Sequence, residues 1–317
     1  MKKIFLLFTL AVFFTSCTSS SSNPTKIPEK TQEATSIQVT SSIIPISSII
    51  KNIGGEYVEV NTIVPAGVSP HGFDMSARQM IEVEKSERIF LVWLDEIDGF
   101  LKKVAPPEKQ VHLADGVKLI KADAHHHEGE EEHSEDEHLE NEDEHGHNRD
   151  PHIWLGKDNA LLIAEKVRDE LSVLLPEHAP YFSQNVDTFR WELEQIYSDF
   201  QTKTAGKSPR KFIVFHDAYN YMIQSVGMDL ELRIPFSKNV LHETWTAQKK
   251  ELIEEIELHG VQYIFREPQF SDRNLQKFAN EYNLNIGILD PLGTDVSAGG
   301  YLQNLRNNLE SLWVVYE

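Results

Sequence analysis

Residues 176–205, PEHAPYFSQNVDTFRWELEQIYSDFQTKTA, decide how the rest of the chain is read. Pro176 stops one helical pattern and a second begins at once. Tyr181, Phe182, Val186, Phe189, Leu193, Ile196, Tyr197 and Phe200 fall at three- and four-residue steps over about five turns. That spacing gathers the apolar side chains on one face and predicts a single helix longer than most in one compact domain. An edge helix would satisfy the pattern; its mid-chain position suits a connector between two lobes.

On both sides of it strand-like and helix-like segments alternate, which predicts an α/β layered fold. The expected plan is two similar α/β lobes, residues 37–175 and 206–317, joined by a long linker helix at 176–205. In the first lobe strands are expected at 37–42, 57–64, 88–93 and 111–113. Helices are expected after Pro45 as far as Gly54-Gly55, at 76–85 and 96–104, and at 158–175 with Asp158 as the cap. Residues 65–71, PAGVSPH, are too rich in Pro and Gly for regular structure. After the break at 206–209 strands are expected at 212–215, 228–234, 262–265 and 286–289, with helices at 246–259, 272–282 and 301–313. Residues 233–245 show no clear pattern. No sequence repeat links the halves, which resemble each other only in layout.

The N-terminus reads as an export signal over residues 1–16: Lys2 and Lys3, an apolar run from 4 to 14, then Thr15-Ser16. Cys17, the one cysteine, follows as in a bacterial lipobox, with Phe14 where Leu is more usual. A lone cysteine forms no intrachain disulfide, so lipidation is its expected use in an exported chain. Residues 17–36, Ser-rich with two prolines, read as a lipid-anchored flexible tether. The formal charge of −20 argues against nucleic acid or an anionic membrane surface as partner.

Half of that charge lies in residues 121–149, with twelve acids against Lys121 and Arg149. The same stretch holds His125, His126, His127, His133, His138, His145 and His147, half of the chain's histidines. It has no apolar face to bury and is expected to be a disordered loop. A solubilising loop needs no imidazole, whereas mixed His and carboxylate form many weak, exchangeable Zn²⁺ sites.

The loop leads into Asp150-Pro151-His152-Ile153-Trp154-Leu155. His71, His152 and His216 each lie in a loop or at a strand end, where ligands of α/β folds gather. Taken singly, each is more often an ordinary surface or core residue, as His112, His178, His242 and His259 are expected to be. Together, three imidazoles suit Zn²⁺ and leave one tetrahedral position open.

These segments, with Pro70-His71, Phe215-His216-Asp217-Ala218-Tyr219, Glu267-Pro268-Gln269-Phe270 and Leu289-Asp290-Pro291-Leu292-Gly293-Thr294, resemble the zinc-uptake solute-binding proteins of ABC transporters. The ordered set of motifs of this ZnuA-like family (metal-binding cluster A-I) spans roughly residues 37–315. The resemblance implies metal held in the cleft between the lobes, His71 and His152 from the first and His216 from the second. It implies an exported, monomeric lipoprotein at the cell envelope that passes Zn²⁺ to a permease powered by a cytoplasmic ATPase. Manganese-binding relatives place carboxylates at two of four ligand positions; here the third is His216 and the fourth matches Gly293. The fourth site is then open to water, Asp290 or a loop carboxylate. A manganese- or iron-binding member of the family and a zinc-binding surface adhesin are the alternatives. An enzyme is disfavoured because no His-Glu-x-x-His or comparable motif accompanies the histidines.

Overall fold

Two four-stranded parallel sheets organise the chain in a computed structural model that describes residues 36–121, 149–237, 245–271 and 273–317. The expected signal, Cys17, the tether, the seven loop histidines and His242 lie outside those residues. The first sheet contains β1 (Ile37–Ser41), β2 (Val58–Thr62), β3 (Arg88–Leu91) and β4 (Gln110–His112), in the order β2-β1-β3-β4. The second contains β5 (Phe212–His216), β6 (Arg233–Ser237), β7 (Tyr263–Arg266) and β8 (Asn285–Ile288), in the order β6-β5-β7-β8. The two orders are the same, so the lobes share a topology that no sequence repeat announces. Parallel pairs need crossovers, and helices packed on a sheet call for apolar strands. Ile89-Phe90-Leu91 and Phe212-Ile213-Val214-Phe215 are accordingly buried.

The helices are α1 (Ile44–Gly54), α2 (Ala77–Lys85), α3 (Asp95–Lys102), α4 (Lys157–Leu174), α5 (Ala179–Thr204), α6 (Asn220–Ser225), α7 (Trp245–His259), α8 (Arg273–Glu281) and α9 (Gly300–Leu312). A short 3-10 turn at Pro176–His178 leads into α5, which carries Pro180 in its first turn. Its periodic residues are buried from Phe182 to Phe200, while Tyr181 sits at the margin with its ring edge against Tyr57. Gly206, at φ 73°, lies just beyond its end in a conformation that side chains disfavour.

Three expectations need correction. Asp158 lies inside the first turn of α4; the cap position is Gly156, and the Lys157 amide donates to Ser225 Oγ at 2.9 Å. The strand expected at 228–234 is a 3-10 turn (Leu230–Leu232) followed by β6. β6 is an edge strand that tolerates Pro235, and the proline masked it in the sequence. The strand at 88–93 ends at Leu91, because Trp93 adopts φ 72°.

α5 packs against α1, α4 and α9, elements of both lobes. One apolar cluster includes Val39, Ile49, Trp154, Phe189, Phe212 and Leu305, so a core runs unbroken from lobe to lobe. Trp154 is fully buried within it; its indole N–H donates to Pro291 O at 2.7 Å and its carbonyl accepts Tyr301 Oη–H at 2.6 Å. Truncating a buried ring of this kind costs about 3–5 kcal/mol.

Candidate metal centre

The three histidines come from a loop turn, the start of a 3-10 turn and a strand end. His71 occupies the second position of a turn closed by Phe73 N–H donating to Pro70 O at 3.1 Å. Gly72, at φ 73°, is the third residue, where such a turn requires positive φ. His152 precedes a 3-10 turn at Ile153–Leu155, where Ile153 and Trp154 drop into the core and hold it down. His216 is the last residue of β5. All three meet at the cleft between the lobes, beyond the carboxyl ends of the strands.

The structure brings His71, His152 and His216 together: one ligand atom from each lies within 4.8 Å of the others. His152 and His216 approach Nε2 to Nε2 at 3.2 Å. Tetrahedral Zn²⁺ with Zn–N of about 2.0–2.1 Å sets its ligand nitrogens roughly 3.4 Å apart, so this pair is already spaced for the ion. His71 has the longer approach to make. Among the described residues no other group of His, Cys, Asp or Glu is gathered this way. The pocket around them, also lined by Glu267, Gln269 and Phe270, encloses about 230 Å³ including its open mouth.

Two buried carboxylates stand behind the imidazoles. Asp150 Oδ1 accepts from both His152 Nδ1, at 2.8 Å, and the His152 backbone amide, at 2.9 Å. Glu267 Oε1 accepts from His216 Nδ1 at 2.6 Å. Glu267 follows β7, which pairs with β5, so sheet register alone sets it beside His216. With both Nδ1 atoms donating, the tautomers are fixed and both Nε2 atoms face the cleft. Sequence reading quoted these two acids within motifs without giving them a role. Their spacing from the histidines, two residues in one case and 51 in the other, carries no signal by itself.

The electrostatics favour neutral imidazoles at two positions. His71 is lowered to about 2, by burial first and then by His152 and His216, against a hydrogen bond to the Glu96 backbone. His152 lies well below the usual imidazole range through burial and the nearby His216. For His216 burial also opposes charge, but Glu267, with Asp217 and Asp150, outweighs it and raises the group. With both Nδ1 atoms donating to carboxylates, the 3.2 Å contact has His216 Nε2–H donating to His152 Nε2, and a cation held by both Nε2 atoms would take the place of that proton. Burial, against hydrogen bonds from His152 and Asn220, pushes the Asp150 carboxyl up to about 7.

The other sequence candidates lie elsewhere. Asp290 is outside the gathered group: its Oδ1 accepts from the Leu292 and Gly293 amides and from Gln269 Nε2. Gly293, at φ 68°, belongs to that loop turn. His112 stacks on Trp93, His178 stacks on Tyr57, and His259 lies 3.5 Å from Glu255. The ends of the acidic segment are described: Lys121 and Arg149 form a β-bridge, and Tyr221 Oη accepts from the Ile120 amide and donates to Asp150 O.

Two lobes, each built on a parallel sheet, with a common core and a histidine-lined cleft define a bilobal binding fold. A crystal structure of ZnuA shares it, with a TM-score of 0.74 at 23% identity over 89% of this chain and all of that one. The family described as "Zinc-uptake complex component A periplasmic" matches residues 39–313, and the chain belongs to it. The high-affinity zinc uptake system protein ZnuA of Haemophilus influenzae is 28% identical over 310 residues, 86% of this chain and 91% of that protein. The zinc-binding protein AdcA of Streptococcus pyogenes is 25% identical over 87% of this chain, which spans 55% of AdcA's length.

Proposed function

We propose that this chain captures Zn²⁺ outside the cytoplasm at His71, His152 and His216 and delivers it to an ABC-type permease. The observation that carries the reading is the convergence of three imidazoles in an interlobe cleft, two of them backed by buried carboxylates. Nitrogen donors alone favour zinc over harder cations such as Mn²⁺. Membership of the zinc-uptake family and the names of its relatives support the same cargo. The ion is bound and released, a role that needs no catalysis. The chain acts as a monomer, and Cys17 anchors it to the membrane through acyl groups. The loop histidines supply weaker, exchangeable sites.

Calorimetric titration of the full chain with Zn²⁺ tests the ligand set. His71→Ala, His152→Ala and His216→Ala should each weaken binding markedly, and His178→Ala should not. Wild-type affinity in His216→Ala would refute it.

A further inference from the structure

α6 belongs to the second lobe, yet its side chains serve the first. Tyr221 Oη donates to Asp150 O at 2.9 Å and accepts the Ile120 amide at 3.1 Å, and Ser225 Oγ accepts the Lys157 amide at 2.9 Å. Asn220, the first residue of the helix, hydrogen-bonds the Asp150 carboxylate. These contacts fall on either side of the turn that carries His152.

Behind Asn220 stands Arg233, the first residue of β6; both are buried. Arg233 Nε donates to Asn220 Oδ1. Its Nη2 donates to Asp217 Oδ2 at 3.0 Å, and Nε also lies 2.9 Å from Asp217 Oδ1. A buried guanidinium needs a paired charge, which Asp217 supplies; the bond to Asn220 adds direction, because the planar fork is rigid. With Oδ1 engaged by Arg233, the Asn220 amide presents Nδ2–H to Asp150. Asp150 Oδ1 in turn takes both the imidazole and the backbone N–H of His152. Arg233, Asn220, Asp150 and His152 thus form one buried polar run from lobe to lobe.

We propose that Asn220 and Arg233 are positioning residues for His152, acting through Asp150 from the opposite lobe. Asn220 holds the carboxylate where it takes both His152 N–H groups, and Arg233 holds Asn220. The inference rests on the three-histidine reading above and gives a role to the start of the 233–245 stretch, where the sequence shows no pattern. Support for the first lobe's ligand then depends on the second lobe, whereas His216 is backed by Glu267 from within its own lobe.

The test measures zinc dissociation constants of the full chain by chelator competition. The variants are Asn220→Ala, Arg233→Met and the two combined, each also in an Asp150→Ala background. Each single variant should weaken binding about tenfold, the usual scale for groups that support metal ligands. The double variant should be no weaker than the weaker single one, and none should weaken Asp150→Ala further, because all act along one line. NMR of the zinc-loaded chain with isotope-labelled histidine supplies a second readout. In Asn220→Ala the His152 Nδ1–H signal should shift or vanish by exchange while that of His216 stays; general loosening of the fold would move both. Metal-free melting temperatures check folding, and Asn220→Ala, which removes no charge, carries the test if Arg233→Met does not fold. Wild-type affinity in Asn220→Ala, or a full additional loss in the Asp150→Ala background, overturns the proposal and leaves the histidine triad intact. Wild-type affinity in His152→Ala would overturn the triad and this inference together.

Discussion

Asp150→Asn separates the charge behind His152 from the shape that carries it. Asp150 Oδ1 takes both the imidazole Nδ1–H and the His152 amide, and an asparagine oxygen at the same place can accept both. The two bonds from His152 are kept, while the negative charge, present above about pH 7, and the acceptor for Asn220 are lost, so the affinities are compared at pH 8. A hydrogen bond to a charged acceptor contributes about 1.5–3 kcal/mol and a neutral one about 0.5–1.5, so the variant should lose about 1–1.5 kcal/mol of support for the ligand. That is about five- to tenfold in the zinc dissociation constant. Asp150→Ala removes both bonds and frees the 150–152 backbone, so its loss should lie toward a hundredfold. Competition against a chromophoric chelator gives the affinities, and the metal-free melting temperature checks that each variant is folded. Equal zinc affinity in wild type and Asp150→Asn would refute the role given to the charge. Equal losses in the Asn and Ala variants would show that the charge is the whole effect and the geometry none of it.

Two further outcomes are expected. Asp98, fully buried in α3 and bonded to the Val92 and Trp93 amides, has its carboxyl pushed up by burial to about 7 from 3.8. The folded state therefore holds this proton to higher pH than the unfolded one, and stability from this group falls as pH rises from about 4 to about 7, then levels. The gap amounts to on the order of 4 kcal/mol at most. The melting temperature of wild type minus that of Asp98→Asn should drop across that window, and a flat or rising difference would contradict it. Deleting residues 125–147 leaves 122–124 and 148, four residues, to join Lys121 and Arg149, which are already paired; this is an ordinary hairpin connection. The deletion should keep one tight zinc site per molecule and abolish the weaker ones; unchanged stoichiometry would show that the loop histidines bind nothing.

Much of the plan was legible because apolar periodicity is a local property. The α5 stripe and the alternation of strands with helices follow from it directly. β6 was missed because an edge strand needs only one pairing partner and can carry Pro235, whose ring reads as a break. Asp158 looked like a cap because local preference cannot show that Ser225, far along the chain, serves the first amide of α4. At the site, the loop and strand-end settings singled out the three histidines that the fold gathers. Their supporting acids were not legible, since Glu267 reaches His216 only through the pairing of β5 with β7. Asp290 drew suspicion as a carboxylate within a motif; only the fold shows its Oδ1 engaged by Gln269 and the Leu292 and Gly293 amides, outside the gathered group.

The unbroken core behind Trp154 also bears on how cargo leaves. A receptor whose halves meet at a wet hinge can empty itself by swinging apart, and its dwell time is then the lifetime of the closed pose. Here such a swing would have to strip the buried Trp154 indole from Pro291 and its carbonyl from Tyr301, and tear the apolar cluster that α5 spans. A path that leaves this core whole runs only through the cleft mouth, between the His71 turn and the Gln269–Phe270 segment.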